Sequence, residues 1–358
     1  MRVQSLIGMF SPWSHKALLY EVTPRCNLRC LHCYNVWKDD VGYGQEELSP
    51  EQALKLVDKA IRESHCRHFT FTGGEPLLRS DLEALVQVAR TRCDQVVLIT
   101  NGTLLTEARI KTLIKAGVTL FELPLNAAER VTHDRLAGNI DCFDKVTQAA
   151  AEIRYHGGAV AFVFVATSIN AAYWKDTLEL GIALGARSFL YNRYNAGGAC
   201  HGKPEALMPS LDQVRDGLRV SEEYAKSHGV GIGASIAIQP CLIDPKEFPH
   251  VGFGFCAAGT DRAYYTIDPM GNVRPCNHTP TILGNLLVTP LREIVKSPKL
   301  SQFMEARPSF CTGCSIEEEC LGGCKAAAEA CYGLLTACDP FLELNKARAQ
   351  KKKNTPCV

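Results

Sequence analysis

In the first two-thirds of the chain, short apolar runs alternate with longer segments whose apolar residues recur every three or four positions. The short runs are typical of buried strands and the longer segments of amphipathic helices. Six strands are predicted, at residues 16–23, 68–72, 95–100, 118–123, 159–167 and 188–193. Helices are predicted between them at residues 50–64, 81–90, 106–116, 142–155 and 171–184.

This order predicts a mixed α/β fold. Strands that alternate with helices of ten or more residues form parallel sheets with right-handed crossovers. The first helix has a clear start, because Ser49 suits the N-cap and Pro50 suits the first helical position.

Composition narrows the class of protein. The 358 residues are enough for a large domain and a smaller one, and the formal net charge of +1 comes from scattered basic residues, which argues against nucleic-acid binding. Residues 1–15 lack the apolar core of a signal peptide, and no run of eighteen apolar residues predicts a membrane span. We therefore expect a cytoplasmic protein that contacts no membrane.

Cysteine usage is the unusual feature, with 17 cysteines in the chain. In a reducing compartment, clustered cysteines are typical metal ligands rather than disulfides, and oxygen sensitivity is expected. The first cluster is Cys26, Cys30 and Cys33, directly after the first predicted strand. Three thiolates can hold three corners of a [4Fe–4S] cluster and leave the fourth iron open. A zinc site is the alternative.

This spacing resembles the CxxxCxΦC signature of the radical S-adenosylmethionine (radical SAM) enzymes, with His32 at the Φ position. The resemblance implies a [4Fe–4S] cluster whose open iron binds SAM and cleaves it to a 5′-deoxyadenosyl radical. It also implies an open (β/α)6 partial TIM barrel, with ligand loops at the carboxyl ends of the strands.

A second motif, Gly73-Gly74-Glu75-Pro76, follows the second predicted strand. Two glycines let backbone approach a ligand closely because they carry no Cβ. The motif resembles the GGEP sequence that binds the methionyl amino group of SAM in this family. A plain strand-to-helix turn is the alternative.

Other SAM contacts are expected where later strands end. At Asn126 the sequence Pro-Leu-Asn-Ala replaces the family's usual Ser-Leu-Asp-Gly, although an amide can still bond a ribose hydroxyl. Arg193 could pair with the SAM carboxylate or form a salt bridge at the barrel rim. The candidates are Thr100, Asn101, Asn126 and Arg193.

The last third of the chain resembles the SPASM domain, the twin-cluster extension of many radical SAM enzymes, through seven cysteines and Gly271. A double zinc ribbon is the alternative. The resemblance implies two auxiliary iron–sulfur clusters, expected to be [4Fe–4S]. The outer cluster would use Cys311, Cys314, Cys320 and Cys338, and the inner one Cys256, Cys276 and Cys324.

The inner set lacks one ligand, since Arg262 replaces a further cysteine of the family pattern. The inner cluster could keep an open iron that binds substrate, could be a smaller cluster, or could be completed by Asp261 or Cys241. An open site or one filled by Cys241 is favoured. The remaining cysteines lack partner spacing and are interpreted as buried or incidental thiols, with Cys331 the one to test: Cys66, Cys93, Cys142, Cys200, Cys331 and Cys357.

Asn277 stands where sulfatase-maturing members carry an aspartate, so this activity is not expected, because an amide is no general base at neutral pH. His278 is the candidate base, and a surface histidine is the alternative.

The expected function is hydrogen abstraction from a peptide or protein, leading to a cross-link or thioether. Oxidation of a small molecule, such as a tetrapyrrole side chain or a sugar, is the alternative, and an iron–sulfur electron carrier is a third class. An external electron donor such as flavodoxin or ferredoxin is expected. Only about fifteen residues precede the first strand, so a separate peptide-recognition protein would be needed.

The expected domain organisation follows from these motifs. It comprises an N-terminal extension (1–15), the partial barrel (16–200), a bridging region (201–255), the SPASM domain (256–340) and a basic tail (341–358) that contains Lys351 to Lys353.

Overall fold

A computed structural model describes residues 17–36, 46–198, 204–260 and 262–353. The expected extension 1–15, together with Cys200, Asp261 and Cys357, lies outside the described residues. One sheet of eleven strands runs through the described part of the chain. The strands are β1 (Ala17–Glu21), β2 (His68–Thr72), β3 (Gln95–Ile99), β4 (Leu120–Pro124), β5 (Val160–Ala166), β6 (Ser188–Arg193), β7 (Gly231–Ala234), β8 (Val251–Phe253), β9 (Tyr264–Ile267), β10 (Asn272–Arg274) and β11 (Gly284–Asn285).

The sheet is open, and its strand order is β11-β10-β9-β1-β2-β3-β4-β5-β6-β7-β8. Neighbouring strands from β1 to β8 all pair in parallel, which confirms the partial α/β barrel. The sheet is longer than the six predicted strands. At one edge β7 and β8 continue the parallel series, and at the other β9 pairs in parallel with β1 and turns antiparallel into β10 and β11.

Helices follow most of the strands and reproduce the predicted segments closely. Residues 171–184 form a short 3₁₀ turn (Ala171–Tyr173) and then a helix, and the expected basic tail is helical up to Lys353. The helices are α1 (Pro50–Ser64), α2 (Leu82–Arg90), α3 (Glu107–Ala116), α4 (Arg130–Ala137), α5 (Cys142–Tyr155), α6 (Trp174–Ala183), α7 (Leu211–His228), α8 (Leu291–Ile294), α9 (Pro298–Glu305), α10 (Glu317–Cys320), α11 (Lys325–Tyr332) and α12 (Pro340–Lys353).

Helix α1 shows how local sequence sets these boundaries. The Ser49 hydroxyl accepts a hydrogen bond from the Gln52 backbone N–H at 3.3 Å, and the Gln52 side chain accepts one from the Ser49 N–H at 3.1 Å. This reciprocal capping box satisfies two amides that a helix start leaves free. Leu56 and Val57 are then buried in the main core, where each such side chain stabilises the fold by about 1.5–3 kcal/mol.

The two faces of the sheet differ in chemistry. Phe69 and Phe71 of β2 join the apolar core shared with the helices, whereas the intervening Thr70 is buried outside that core. The same alternation recurs in β4, where Phe121 belongs to the core and Glu122 is buried on the opposite face. Because successive strand residues point to opposite faces, the concave face of the sheet carries buried polar groups.

Two fully buried ion pairs join the barrel to the cysteine-rich part of the chain. Glu21 in β1 pairs with Arg274 in β10, and Arg193 at the end of β6 pairs with Asp339, which precedes α12. Among the described residues, no helix combines the length and apolar character needed to cross a membrane.

Candidate functional site

The cysteine loop after β1 lies at the carboxyl end of the sheet, and its three thiols are half-buried. The loop packs against helix α4, where the Leu31 N–H donates to the Leu136 carbonyl at 3.0 Å. The Leu28 side chain packs with Ala137 and Cys142, and Cys26 lies against this small cluster together with Cys30. This packing gives Cys142 a structural role, because its buried thiol lies in the small apolar cluster that supports the loop.

The glycines of the Gly-Gly-Glu-Pro motif contact the cysteine loop. The Gly74 N–H donates to the Thr23 carbonyl and the Glu75 N–H to the Arg25 carbonyl, each at 2.8 Å. A Cβ on Gly74 would lie 2.1 Å from the Arg25 carbonyl oxygen, closer than any side chain tolerates. Gly138 makes the same kind of approach from α4, since its Cβ would lie 2.3 Å from the Arg29 carbonyl oxygen. The loop is therefore held by backbone on two sides.

The donor set of this loop fits an iron–sulfur cluster. Cys26, Cys30 and Cys33 supply three thiols from one short segment, and thiolates are the ligands that such clusters prefer. His32, at the position between the last two cysteines, is half-buried. A single zinc ion needs sulfur atoms about 2.3 Å away, and no group of three or more His, Cys, Asp or Glu side chains in the described residues could hold a metal ion.

Glu75 is hydrogen-bonded to two other predicted SAM contacts, Thr100 and Asn101. Its carboxylate accepts hydrogen bonds from Thr100 Oγ1 at 2.6 Å, from the Asn101 N–H at 2.8 Å and from the Leu77 N–H at 3.0 Å. Burial raises the pKa of this carboxyl to about 7, although these donors oppose the rise. The Asn101 side chain also donates to Asn27 Oδ1 at 2.8 Å, which connects the site to the cysteine loop.

Asn126 is buried where β4 ends. Its side-chain oxygen accepts from the Val165 N–H, and its backbone N–H donates to His133 Nδ1, both at 3.2 Å. Burial lowers the pKa of His133 to about 4, so the imidazole is neutral and can accept this bond. Asn126 thus connects β4 to β5 in addition to its predicted role at the ribose.

Arg193 adopts the second of its two predicted roles. Its guanidinium is fully buried against Asp339 and also donates to the Ala237 carbonyl at 2.7 and 2.9 Å. The prediction that it pairs with the SAM carboxylate is not supported by this arrangement, because an aspartate of the chain already neutralises the charge.

The three cysteines that the SPASM resemblance assigns to the inner cluster lie close together. Cys256, Cys276 and Cys324 pack against one small apolar cluster, and Tyr264 interacts electrostatically with all three. Asn195 donates from Nδ2 to Cys324 Sγ at 3.4 Å. The sequence did not predict that Tyr264 and Asn195 lie beside these cysteines, because neither residue belongs to a recognisable motif.

The radical loop and the inner-cluster loop contact each other. The rings of Tyr34 and His278 lie 4.6 Å apart between centroids, and each residue closely follows a cysteine of its own set. His278 is half-buried, so the surface alternative was wrong. Burial lowers its pKa to about 3, with Arg274 contributing, and an imidazole this weakly basic makes a poor general base.

Cys241 was expected near the inner site, and this expectation is wrong. It lines a small cavity of about 10 Å³ together with Cys311, Cys314 and Cys320, which are three of the outer cysteines. Burial raises its pKa to about 12, and those same three thiols are its electrostatic neighbours. The segment after β7 leads into the outer site, which spacing along the chain does not reveal.

Arg262 occupies the position where the family pattern has a further inner cysteine. Its side chain is exposed.

Two of the cysteines without partner spacing prove to be neighbours. The thiols of Cys66 and Cys93 are buried 3.9 Å apart, and Cys93 Sγ lies 3.4 Å from the Cys66 carbonyl oxygen. Both precede strands at the end of the sheet opposite the cysteine loop. Cys331 is half-buried in α11.

Two family models match the chain. The Radical SAM superfamily model matches residues 20–181, and the SPASM model, described as an iron–sulfur cluster-binding domain, matches residues 256–315. These matches include the cysteine loop and the first inner cysteines. They confirm the cofactors that the family resemblance implied, namely iron–sulfur clusters and SAM, in preference to zinc.

Curated relatives match over nearly the whole chain. A PqqA peptide cyclase from Granulibacter bethesdensis is 28% identical over 343 residues, covering 92% of this chain and 87% of the relative. A PqqA peptide cyclase from Gluconobacter oxydans is 27% identical over 347 residues, covering 94% of this chain and 93% of the relative.

Solved structures share the fold. anSMEcpe, solved with bound AdoMet, has a TM-score of 0.70 at 18% identity and covers 94% of this chain and 95% of its own. Streptococcus suis SuiB, solved with the precursor peptide SuiA, has a TM-score of 0.72 at 16% identity and covers 91% of this chain and 75% of its own. The chain is an enzyme with a radical SAM domain that includes the cysteine loop and a SPASM iron–sulfur domain in its last third.

Proposed function

We propose that this enzyme abstracts a hydrogen atom from a peptide or protein substrate and so initiates an oxidative maturation, such as formation of a cross-link or thioether. The observation that carries the proposal is the contact between Tyr34 and His278, which brings the radical loop and the inner-cluster loop together above the carboxyl end of the sheet. Relatives named peptide cyclases and a neighbour solved with a precursor peptide support a peptide substrate.

The bound cluster and SAM supply the 5′-deoxyadenosyl radical. The chain's own residues hold and position these cofactors. Cys26, Cys30 and Cys33 provide the thiols, and the backbone at Gly74 and Gly138 fixes their loop. The network of Glu75, with Thr100 and Asn101, lies where the resemblance implies the methionyl group of SAM.

The inner site supports a role next to the substrate. It offers three thiols, and the polar side chains of Tyr264 and Asn195 lie beside them. A cluster with three protein ligands keeps one open iron, which could bind a substrate group or accept the electron of the product radical. The proposal includes three clusters, an external donor such as flavodoxin or ferredoxin, a separate peptide-recognition protein and a cytoplasmic setting.

The test is an anaerobic incubation of the reconstituted enzyme with SAM, dithionite and candidate precursor peptides encoded beside its gene. We expect 5′-deoxyadenosine together with a peptide mass lower by about two hydrogens. The matched control replaces Cys26, Cys30 and Cys33 by alanine, which removes the radical cluster and should abolish both products.

Two outcomes would contradict the proposal. If the triple variant still formed 5′-deoxyadenosine, the cysteine loop would not hold the radical cluster. If the parent enzyme consumed SAM and oxidised a tetrapyrrole or a sugar while every peptide kept its mass, the substrate would be a small molecule.

A further inference from the structure

We propose that Asn195 raises the reduction potential of the inner iron–sulfur cluster through its hydrogen bond to the sulfur of Cys324. The inference rests on the proposed assignment of Cys324 to that cluster and is independent of the identity of the substrate. Asn195 acts through a ligand of the cluster, so it is a positioning residue.

The contact between Asn195 and the cysteine is direct. Asn195 Nδ2 donates to Cys324 Sγ at 3.4 Å. The asparagine is only 5% exposed, so water competes little for this donor. A cysteine that binds a cluster is deprotonated and can only accept a hydrogen bond. Among the described residues, Asn195 Oδ1 has no hydrogen-bond partner, so the side chain serves this one contact.

The backbone of Cys324 is held as well. Its N–H donates to Asp339 Oδ2 at 3.1 Å. The same carboxylate pairs with Arg193 and accepts a hydrogen bond from Gln239 Nε2 at 3.0 Å. Arg193 and Asn195 both lie where β6 ends. The barrel therefore fixes Cys324 directly by its sulfur and, through Asp339, by its backbone.

The segment that carries Asn195 also contacts the radical loop. A Cβ on Gly198 would lie 2.5 Å from the Asn35 carbonyl oxygen and 2.9 Å from the Cys33 carbonyl oxygen. Gly198 has φ +44°, a conformation that glycine adopts readily. Residues 195–198 thus touch the radical loop at one end and an inner cysteine at the other.

A hydrogen bond to the cysteine sulfur favours the reduced cluster. Reduction adds one electron, and part of its negative charge spreads to the sulfur ligands. An N–H donor therefore binds the reduced state more tightly than the oxidised one. Hydrogen bonds to the sulfurs are among the factors that set the potentials of iron–sulfur clusters. The higher potential makes the inner cluster a better acceptor for the electron of the product radical.

The test is Asn195→Leu, which keeps the approximate size of the side chain and removes the N–H. The full chain is reconstituted anaerobically, its iron is counted, and the cluster potentials are measured by redox titration followed by EPR. We expect the parent's iron content and a lower inner-cluster potential. The fall should correspond to about a tenfold change in the reduction equilibrium, which is about 59 mV for one electron. The outer-cluster potential should stay the same.

An unchanged inner potential at full iron content would overturn the proposal. If Asn195→Leu does not fold, Asn195→Ala removes the same donor with a smaller side chain and should lower the inner potential in the same way. Loss of the inner iron from both variants would also overturn the proposal, because the side chain would then hold the cluster rather than tune it.

Cys324→Ala identifies the inner signal. We expect this variant to lose the signal that Asn195→Leu shifts, together with part of the iron. If it kept all signals and all iron, Cys324 would not be a ligand, and the tuning role would fail with it. These potentials need no substrate, so a peptide that stayed unmodified would contradict the proposed function and leave this result unaffected.

Asn192→Leu is the matched control. Asn192 is also in β6, and its Oδ1 accepts from the Ser235 N–H at 2.8 Å and from Ser235 Oγ at 3.0 Å. Loss of these bonds disturbs the end of the same strand without removing a donor to a cysteine. We expect lower stability with an unchanged inner potential. Equal shifts of the potential in Asn192→Leu and Asn195→Leu would overturn the proposal, because distortion of the strand end would explain both.

Discussion

Glu122 places a carboxyl group on the concave face of the sheet, where burial raises its pKa to about 7. In an unfolded chain a glutamate titrates near pH 4.3. Between these values the native state holds a proton that the unfolded state has released. The free energy of unfolding therefore falls as the pH rises from about 4.5 to 7 and is lowest above that window.

Glu122→Gln keeps the size of the side chain and removes its titration. We expect the free energy of unfolding of the variant to exceed that of the parent by about 1–3 kcal/mol between pH 5 and pH 8, as measured by anaerobic guanidinium denaturation. Glu75, with its similarly raised pKa, leaves part of the pH dependence in place. Glu51→Gln is the control, because this carboxylate is exposed and bound to Lys55, and it should produce no such gain. Identical pH profiles for parent and Glu122→Gln would contradict the prediction.

At the residue scale, the sequence predicted the groups that are close along the chain. Cys26, Cys30 and Cys33 could be identified as one set of ligands because all three lie in the same short loop. Cys241 could not be placed, because its partners from Cys311 onward are distant in sequence and only the fold brings them together. The choice between two roles for Arg193 was open for the same reason, since its partner is Asp339.

At the scale of elements, α4 determines how the cysteine loop is supported. Its C-terminal Gly138 has φ +72° and lies against the Arg29 carbonyl. Gly138→Ala adds strain of about 1–2 kcal/mol for this backbone conformation and also a clash with the loop. We expect reduced iron retention by the radical cluster and slower formation of 5′-deoxyadenosine.

Gly157→Ala is the matched control for Gly138→Ala. Gly157 has a similar φ of +79°, but a Cβ there would meet no atom within 4 Å. The control should show the backbone strain alone, with full iron content and activity. Equal iron loss in the two variants would show that strain, rather than contact with the loop, is responsible.

Elements were predictable where pattern and capping coincide. Helix α1 was found from Ser49 and Pro50, whereas α7 was missed although Ser210 and Gln213 form the same capping box. Strands β7 to β11 have two to four residues each. Such strands are too short to show a periodic pattern in the sequence. They form because they pair with strands at the edges of the sheet.

At the scale of the whole molecule, the barrel and the cysteine-rich region are joined through Asp339. Besides its ion pair with Arg193, this carboxylate accepts a hydrogen bond from the N–H of Cys324 at 3.1 Å. Asp339→Asn leaves the buried guanidinium without a counter-charge. We expect a loss of about 3–5 kcal/mol in the free energy of unfolding, measured by anaerobic chemical denaturation.

The control for Asp339→Asn is Asp216→Asn, which removes the exposed ion pair between Asp216 and Arg219. An exposed pair contributes only about 0–1 kcal/mol. If the two variants were equally stable, the buried pair would not be what holds the two regions together.

The pairing of β1 with β9 has a consequence for biosynthesis. Leu18 pairs with Tyr265 across these two strands. One edge of β1 therefore stays unpaired until β9 is translated, roughly 250 residues later. At about 5–20 residues per second on the ribosome, that delay is about 10 to 50 s. An unpaired strand edge can recruit other chains. The nascent enzyme is therefore open to aggregation for a period set by the speed of translation, before any cluster is inserted.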